Sequence, residues 1–168
     1  AAGIEARTEG YSISAGEPDS YRNGGVLLPN GNPTASGAQV FPGFQPANAV
    51  DEDRTAVGAY VDIEANLTER FLGSVALRVE DYSDFGSNLS GKLAGRYDFT
   101  ESFALRGSLQ NGFRAPSLQQ QYFATTSTNF INGVPFDIAT FPVNDPVAEA
   151  LGAKPLDAEE SVNFSLGA

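Results

Sequence analysis

Apolar and polar residues alternate through four consecutive stretches between Arg54 and Arg114. In the first, Val57, Ala59, Val61, Ile63, Ala65 and Leu67 alternate with Gly58, Tyr60, Asp62, Glu64 and Asn66. The three that follow continue the pattern. Leu77, Val79, Leu93, Leu105 and Leu109 fall on the apolar side, and Arg78, Glu80, Lys92, Arg96, Asp98 and Arg106 on the polar side. A period of two marks a strand with one apolar and one polar face. Two weaker stretches, residues 3–15 and 160–168, alternate in the same way. The pattern predicts an all-β fold, an antiparallel up-and-down meander of about six strands.

Alternation alone fits both a soluble sandwich and a membrane barrel. Strand length separates them: soluble strands cluster near 5–6 residues, whereas a tilted membrane strand needs about 9–11. The four central stretches are of the longer kind. The connections are also lopsided. Residues 68–70 and 100–102 are tight links, whereas residues 16–53 and 115–157 are long. Bacterial outer-membrane barrels combine short periplasmic turns with long outer loops in this way. Phe71, Phe99 and Phe103 stand beside the short links, and Tyr82, Phe85 and Phe113 near the other end. Aromatic residues at both ends of an apolar band suit the two membrane interfaces. The expectation is part of a transmembrane β-barrel, with Leu77, Val79, Leu93, Leu105 and Leu109 toward lipid. Arg78, Glu80, Lys92, Arg96, Asp98 and Arg106 would then face the lumen, paired with each other or with a plug.

One unit repeats. Leu67-Thr-Glu-Arg-Phe71 recurs as Phe99-Thr-Glu-Ser-Phe103, so a strand-loop-strand-turn module is used twice. The long links hold turn clusters, Asn23-Gly24-Gly25 and Pro29-Asn30-Gly31-Asn32-Pro33, and a short helix is expected in 145–152. There Asp145 is placed to cap, Pro146 to start and Gly152 to stop it.

Composition narrows the function classes. The 168 residues carry 21 acidic and 10 basic side chains, a net charge of −11. Such an acidic chain is a poor match for nucleic-acid phosphates. There is no Cys, His, Met or Trp. That removes disulfides, thiolate metal sites and Ser/His/Asp catalysis. No run approaches the ~18 apolar residues of a membrane helix. Ala1-Ala2-Gly3 opens without a charged or apolar leader, as a mature or excised segment would.

Other chemistries are weakly signalled. Gly86-Ser-Asn-Leu-Ser-Gly91-Lys92 nearly spells a phosphate-binding loop, but Leu93 stands where Ser or Thr is required, and a strand follows. The Asp and Asn residues of segment 81–88 have the oxygen chemistry of a Ca²⁺ ligand set, yet the same residues build an Asx turn more simply. The adjacent acids Asp51, Glu52, Asp53 and Glu159, Glu160 read as solvated loop charges.

Gly112-Phe-Arg-Ala-Pro-Ser-Leu-Gln-Gln-Gln-Tyr-Phe123 resembles the most recognisable segment of TonB-dependent outer-membrane receptors. Arg78-Val-Glu-Asp-Tyr-Ser-Asp-Phe-Gly86 resembles that family's strand-to-loop segment, and Lys92-Leu-Ala-Gly-Arg-Tyr97 with Leu105-Arg-Gly-Ser108 its following hairpin. Leu151-Gly-Ala-Lys-Pro-Leu156 and Glu159-Glu-Ser-Val-Asn-Phe-Ser-Leu-Gly167 resemble the end of the next loop and its strand. Ala158 stands where the family often has Pro.

The resemblance implies a receptor with a barrel of about 22 strands and an amino-terminal plug, driven by the TonB complex of the inner membrane. Receptors of this kind import a scarce nutrient such as a siderophore, cobalamin, haem or a sugar. On this reading residues 1–168 are a partial outer-membrane barrel without plug or TonB-binding box, with neither an enzymatic activity nor a cofactor. Within the 112–123 motif, Arg114, Gln119, Gln120 and Tyr122 are the candidate substrate contacts, set against a purely structural role at the strand top and loop base. The alternative is a soluble β-sandwich binding or adhesion module. Six strands alone leave two open edges and an uncovered apolar face. Lipid or detergent, self-association, or curling of the sheet onto its loops would have to meet that deficit.

Overall fold

A computed structural model describes residues 1–38 and 41–168. Gln39 and Val40, inside the expected first long loop, lie outside the described residues. The chain divides into two compact units, a sheet and a loop unit.

The sheet unit comprises Ala1–Glu9, Arg54–Pro116 and Asp157–Ala168. Its strands are β1 (Ala2–Ile13), β2 (Val50–Thr68), β3 (Phe71–Tyr82), β4 (Gly86–Thr100), β5 (Phe103–Arg114) and, after the second long connection, β8 (Glu159–Gly167). The spatial order is β1-β2-β3-β4-β5-β8, and every pairing from β2 onward is antiparallel. This is the predicted meander, left open, with β1 and β8 at its edges.

The register carries the alternation across the sheet. Ile63, Val75, Leu93, Leu109 and Phe164 stand opposite one another on successive strands. Leu93 is 63% exposed and Leu105 37%, with Leu77, Val79 and Leu109 between them. Among the described residues of the sheet unit nothing covers this face, and the soluble-sandwich alternative is not favoured. A compact monomer of this mass would expose about 8,000 Å²; this chain exposes 11600 Å². Among the described residues no large side chain is fully buried. The apolar face is built to be covered by lipid.

The two tight links are the same structure made twice. In each, the register shifts by one residue just before the turn, between Asn66 and Thr68 and between Asp98 and Thr100. In each, the Thr hydroxyl accepts from the backbone N–H two residues on, Arg70 to Thr68 and Ser102 to Thr100, both at 3.3 Å. Beside these turns Phe71, Tyr97, Phe99 and Phe103 form a chain of ring contacts with centroids 4.8–6.5 Å apart. This is the expected aromatic group at the short-turn end.

Three expectations need correction. The 81–88 segment, read as an interruption between strands, shrinks to a three-residue link, because β3 runs to Tyr82 and β4 restarts at Gly86 (φ 86°). Tyr82, Phe85 and Phe113 do not form a second lipid-facing girdle: Tyr82 is buried and contacts both other rings. The first strand ends at Ile13 rather than at Ala15.

The loop unit holds Gly10–Asp53 and Ser117–Leu156. Sequence reading expected one helix here. The structure has that helix, α2 (Pro146–Ala150), with Asp145 Oδ1 accepting from Val147 N–H at 2.7 Å. It also has α1 (Leu118–Tyr122) and a hairpin of β6 (Thr125–Ile131) and β7 (Val134–Thr140). Asn132 (φ 53°) and Gly133 (φ 79°) form its two-residue turn, the left-handed pair that hairpin twist favours. Phe44 packs edge-on against Phe123 at 6.4 Å, and the Ser36 hydroxyl donates to Asp137 at 2.9 Å. Both long connections are therefore ordered segments packed on each other.

Candidate functional site

The polar face of the sheet is organised by arginines. β1 presents Glu5, Arg7 and Glu9 on one side, and β3 presents Arg78, Glu80 and Tyr82. Arg78 Nη2 donates to Glu5 at 2.8 Å and to Glu80 at 2.7 Å, with its guanidinium 5.9 Å from the Tyr60 ring centre. Arg7 pairs with Glu9 at 3.5 Å. Every cation in this part of the face has a carboxylate.

Arg54, near the start of β2, is the centre of this network, and sequence reading did not single it out. It is 4% exposed. Its Nε donates to Glu9 at 3.0 Å, a second nitrogen pairs with the same carboxylate, and Nη1 reaches Asp84 at 3.4 Å and the Pro116 carbonyl at 2.7 Å. The guanidinium also lies 5.3 Å from the Tyr82 ring centre and 5.9 Å from that of Phe85. One side chain thus ties together β1, β2, the β3–β4 turn and the chain just beyond β5. The planar fork of arginine, which accepts several partners at once and stacks on rings, suits that position as lysine would not.

The distinctive 112–123 segment begins on β5, passes Pro116 and enters α1. Ser117 caps α1 in a reciprocal box: Gln120 N–H donates to Ser117 Oγ at 3.1 Å, and Ser117 N–H to Gln120 Oε1 at 2.9 Å. Of the four candidate contacts, Gln119, Gln120 and Tyr122 share α1. Gln120 spends its carboxamide oxygen on the cap, and Gln119 is exposed. Tyr122 lines a hollow of about 310 Å³ with Ala124, Thr126, Phe141 and Asn144. Arg114 belongs to the sheet unit, where it makes an exposed 3.9 Å pair with Glu159.

The family described as "TonB dependent receptor-like, beta-barrel" matches residues 5–168. This chain belongs to the TonB-dependent receptor β-barrel family. It is a length of bacterial outer-membrane β-barrel whose six-stranded sheet is open in this chain.

Among curated relatives, the ferric enterobactin receptor PirA of Pseudomonas aeruginosa is 30% identical over 64% of this chain and 14% of its own length. The vitamin B12 transporter BtuB of Vibrio cholerae is 31% identical over 42% of this chain and 11% of its own. Among solved structures, the siderophore receptor PirA from Pseudomonas aeruginosa aligns with a TM-score of 0.53 at 25% identity, over 73% of this chain and 22% of the other. The siderophore receptor PirA from Acinetobacter baumannii aligns over 99% of this chain and 21% of the other, with a TM-score of 0.60 at 18% identity, a likeness of fold. The chain spans about a fifth or less of the length of these relatives.

Sequence signals for Arg54 were slight. It stands at the head of the alternating region, a cation just after three acids, and nothing local distinguishes it from a solvated charge. The signal that would have found it is the family motif, whose Pro116 carbonyl is what Arg54 holds.

Proposed function

We propose that these residues form part of the wall and two outer loops of a receptor that binds a scarce small-molecule nutrient and imports it through the outer membrane. The observation that carries this reading is the two-faced sheet, lipid-ready outside and ion-paired inside, joined to long connections that are folded rather than slack. Long ordered loops on a rigid barrel are where binding function concentrates. The nutrient classes are those of the relatives' names, a ferric siderophore or cobalamin, with haem and sugars also open. All 168 residues are read as barrel strands and their loops. The plug that such a barrel encloses and the TonB complex that drives it are the partners. The mechanism is binding and gated passage, with no bond made or broken in the nutrient.

Within the loop unit we assign nutrient contact to Tyr122 and its neighbour Gln119, with Gln120 contributing its amide nitrogen; Arg114, on the sheet unit, is a separate candidate contact. Tyr122 is the strongest of the four, because it lines a hollow of the size small ligands occupy. The test is uptake and binding of ferric siderophores and of cobalamin by cells carrying the full receptor. Wild type should take up one of these classes, and Tyr122→Ala should weaken its binding about tenfold or more. Equal binding by wild type and variant would remove Tyr122 from the site. Uptake of none of these classes would overturn the nutrient assignment.

A further inference from the structure

The hollow beside Tyr122 has a chemical character of its own. All of its lining belongs to the loop unit. Glu52 and Asp145 bring two carboxylates to it, and Tyr122 and Phe141 two aromatic rings. Among the described residues no lysine or arginine lines it. The loop unit as a whole has eight acids and only two bases, Arg22 and Lys154, and Arg22 is held by Asp19 at 2.6 Å. Glu52 makes no ion pair among the described residues, and Asp145 spends Oδ1 on capping α2.

Asn48 adds an observation independent of charge. It ends the short 3₁₀ turn Pro46–Asn48, is 5% exposed and lines the same hollow. Its Oδ1 accepts from Gln45 N–H at 2.9 Å, which fixes the other end of the carboxamide as the nitrogen. That Nδ2 donates to no group among the described residues. It is not sealed inside protein either, since Asn88 Oδ1 is the one side-chain polar atom among the described residues that is both sealed and unbonded. The space onto which Asn48 opens is the hollow it lines. A buried donor left without an acceptor is costly, and a ligand oxygen placed there would meet it.

We propose that this hollow receives a protonated amine with an acceptor oxygen beside it, the pattern of an α-amino amide or an amino alcohol. The Glu52 and Asp145 carboxylates and the ring faces of Tyr122 and Phe141 attract the ammonium. The Asn48 amide nitrogen donates to the neighbouring oxygen. An anionic group in the same place would meet two carboxylates and no cation. The inference rests on the reading of Tyr122 as a nutrient contact and narrows it: the part of the nutrient seated there carries an amine rather than a carboxylate, a phosphate or a catecholate.

The test uses the full receptor in detergent with glycinamide as the probe. N-acetylglycinamide supplies the same amide without the charge, and sodium chloride matches the ionic strength. Hydrogen exchange is read over residues 47–52, 122–126 and 139–145. Glycinamide raised to about ten times its Kd should slow exchange there about tenfold, and neither control should. Glu52→Gln/Asp145→Asn, in which the new Asn keeps a capping oxygen for α2, should lose that protection. Exchange equal to wild type without the probe shows that the variant's loops are folded. If the variant does not fold, glycinamide against its acetylated form on wild type decides alone. Exchange that stays unchanged up to molar glycinamide overturns the proposal. So does equal protection by N-acetylglycinamide, because the charge then plays no part. Protection by glycinamide together with undiminished nutrient binding in Tyr122→Ala upholds the amine site and removes only its assignment to the nutrient.

Discussion

Arg54 Nη1 donates to the backbone carbonyl of Pro116 at 2.7 Å, joining residues 62 positions apart. The bond gives the family motif a structural reason. Pro116 has no N–H to place in a ladder, and its carbonyl, at the point where β5 gives way to the second long connection, would lack a strand partner. Arg54 supplies one through Nη1, which also reaches Asp84, while its other two nitrogens are held by Glu9. The chain just beyond β5 is therefore fixed to β1, β2 and the β3–β4 turn through a single guanidinium.

Removing that side chain leaves the Pro116 carbonyl without its arginine donor and takes one partner each from Glu9 and Asp84 in a part-buried site. Arg54→Ala is expected to destabilise the folded barrel by about 3 kcal/mol, the scale of breaking a buried pair from one side. Arg54→Lys should recover only part, since an ammonium cannot reach three acceptors in a plane. The temperature at which the full receptor loses its heat-dependent gel mobility measures both. A loss below about 0.5 kcal/mol for Arg54→Ala, the ordinary range for surface substitutions, would mean that water replaces the network without cost.

The lipid face predicts a cost graded by depth. Leu93 stands in mid-sheet, between Val75 and Leu109. Leu105 is opposite Tyr97, within the aromatic group beside the short turns. Leu93→Arg should cost about 2–4 kcal/mol, and Leu105→Arg about 0–1 kcal/mol, because the penalty falls toward the interface. Refolding equilibria of the receptor in detergent or lipid compare them. Equal costs would place both side chains at one depth and contradict the register.

How much of this was legible follows from the range of each interaction. The strands were, because each is a local pattern of period two that lipid on one face enforces along its whole length. The doubled turn was legible for the same reason, since Thr68 and Thr100 bond only two residues ahead. The partners of Arg54 lie 30 to 62 residues away, and no local pattern encodes a register. Tyr82 and Phe85 were assigned to the membrane interface because aromatic residues near a strand end fit a girdle as well as a cation cage. The hairpin at Thr125–Thr140 was in principle readable: Asn132-Gly133 is the strongest short signal for such a turn. Its flanks, rich in Thr, Ser and Asn, hid the alternation, so the stretch read as loop. The candidate contacts Gln119, Gln120 and Tyr122 were singled out by resemblance alone, and the capping box that occupies Gln120 could have been read from Ser117-Leu-Gln-Gln120.

That hairpin offers a local test. Gly133 sits at φ 79° with open space around its α-carbon, so a side chain there meets backbone strain rather than a clash. Gly133→Val is expected to destabilise the β6–β7 pair by about 1–2 kcal/mol. Hydrogen exchange should quicken across Thr125–Thr140 while the six-stranded sheet keeps its protection. Exchange that quickens in both would mean that the sheet and loop units unfold together.

The isolated segment tests the open sheet itself. β1 and β8 each present an unpaired edge, and Val162, Phe164 and Leu166 on β8 are 75–86% exposed. Unsatisfied edges recruit other strands, and apolar area without lipid drives association. Residues 1–168 alone are expected to aggregate in plain buffer and to disperse in detergent, as followed by size-exclusion chromatography with light scattering. Charged substitutions on the β8 edge should reduce aggregation without abolishing the need for detergent, because they blunt the edge and leave the rest of the apolar face uncovered. A clean monomer in buffer would require that face to be buried, which the exposure of Ile63, Leu93 and Leu109 does not allow in this arrangement. The sheet would then have to close onto its own loops when separated from the remainder of the barrel, and the same strands would be shown to fold in two ways.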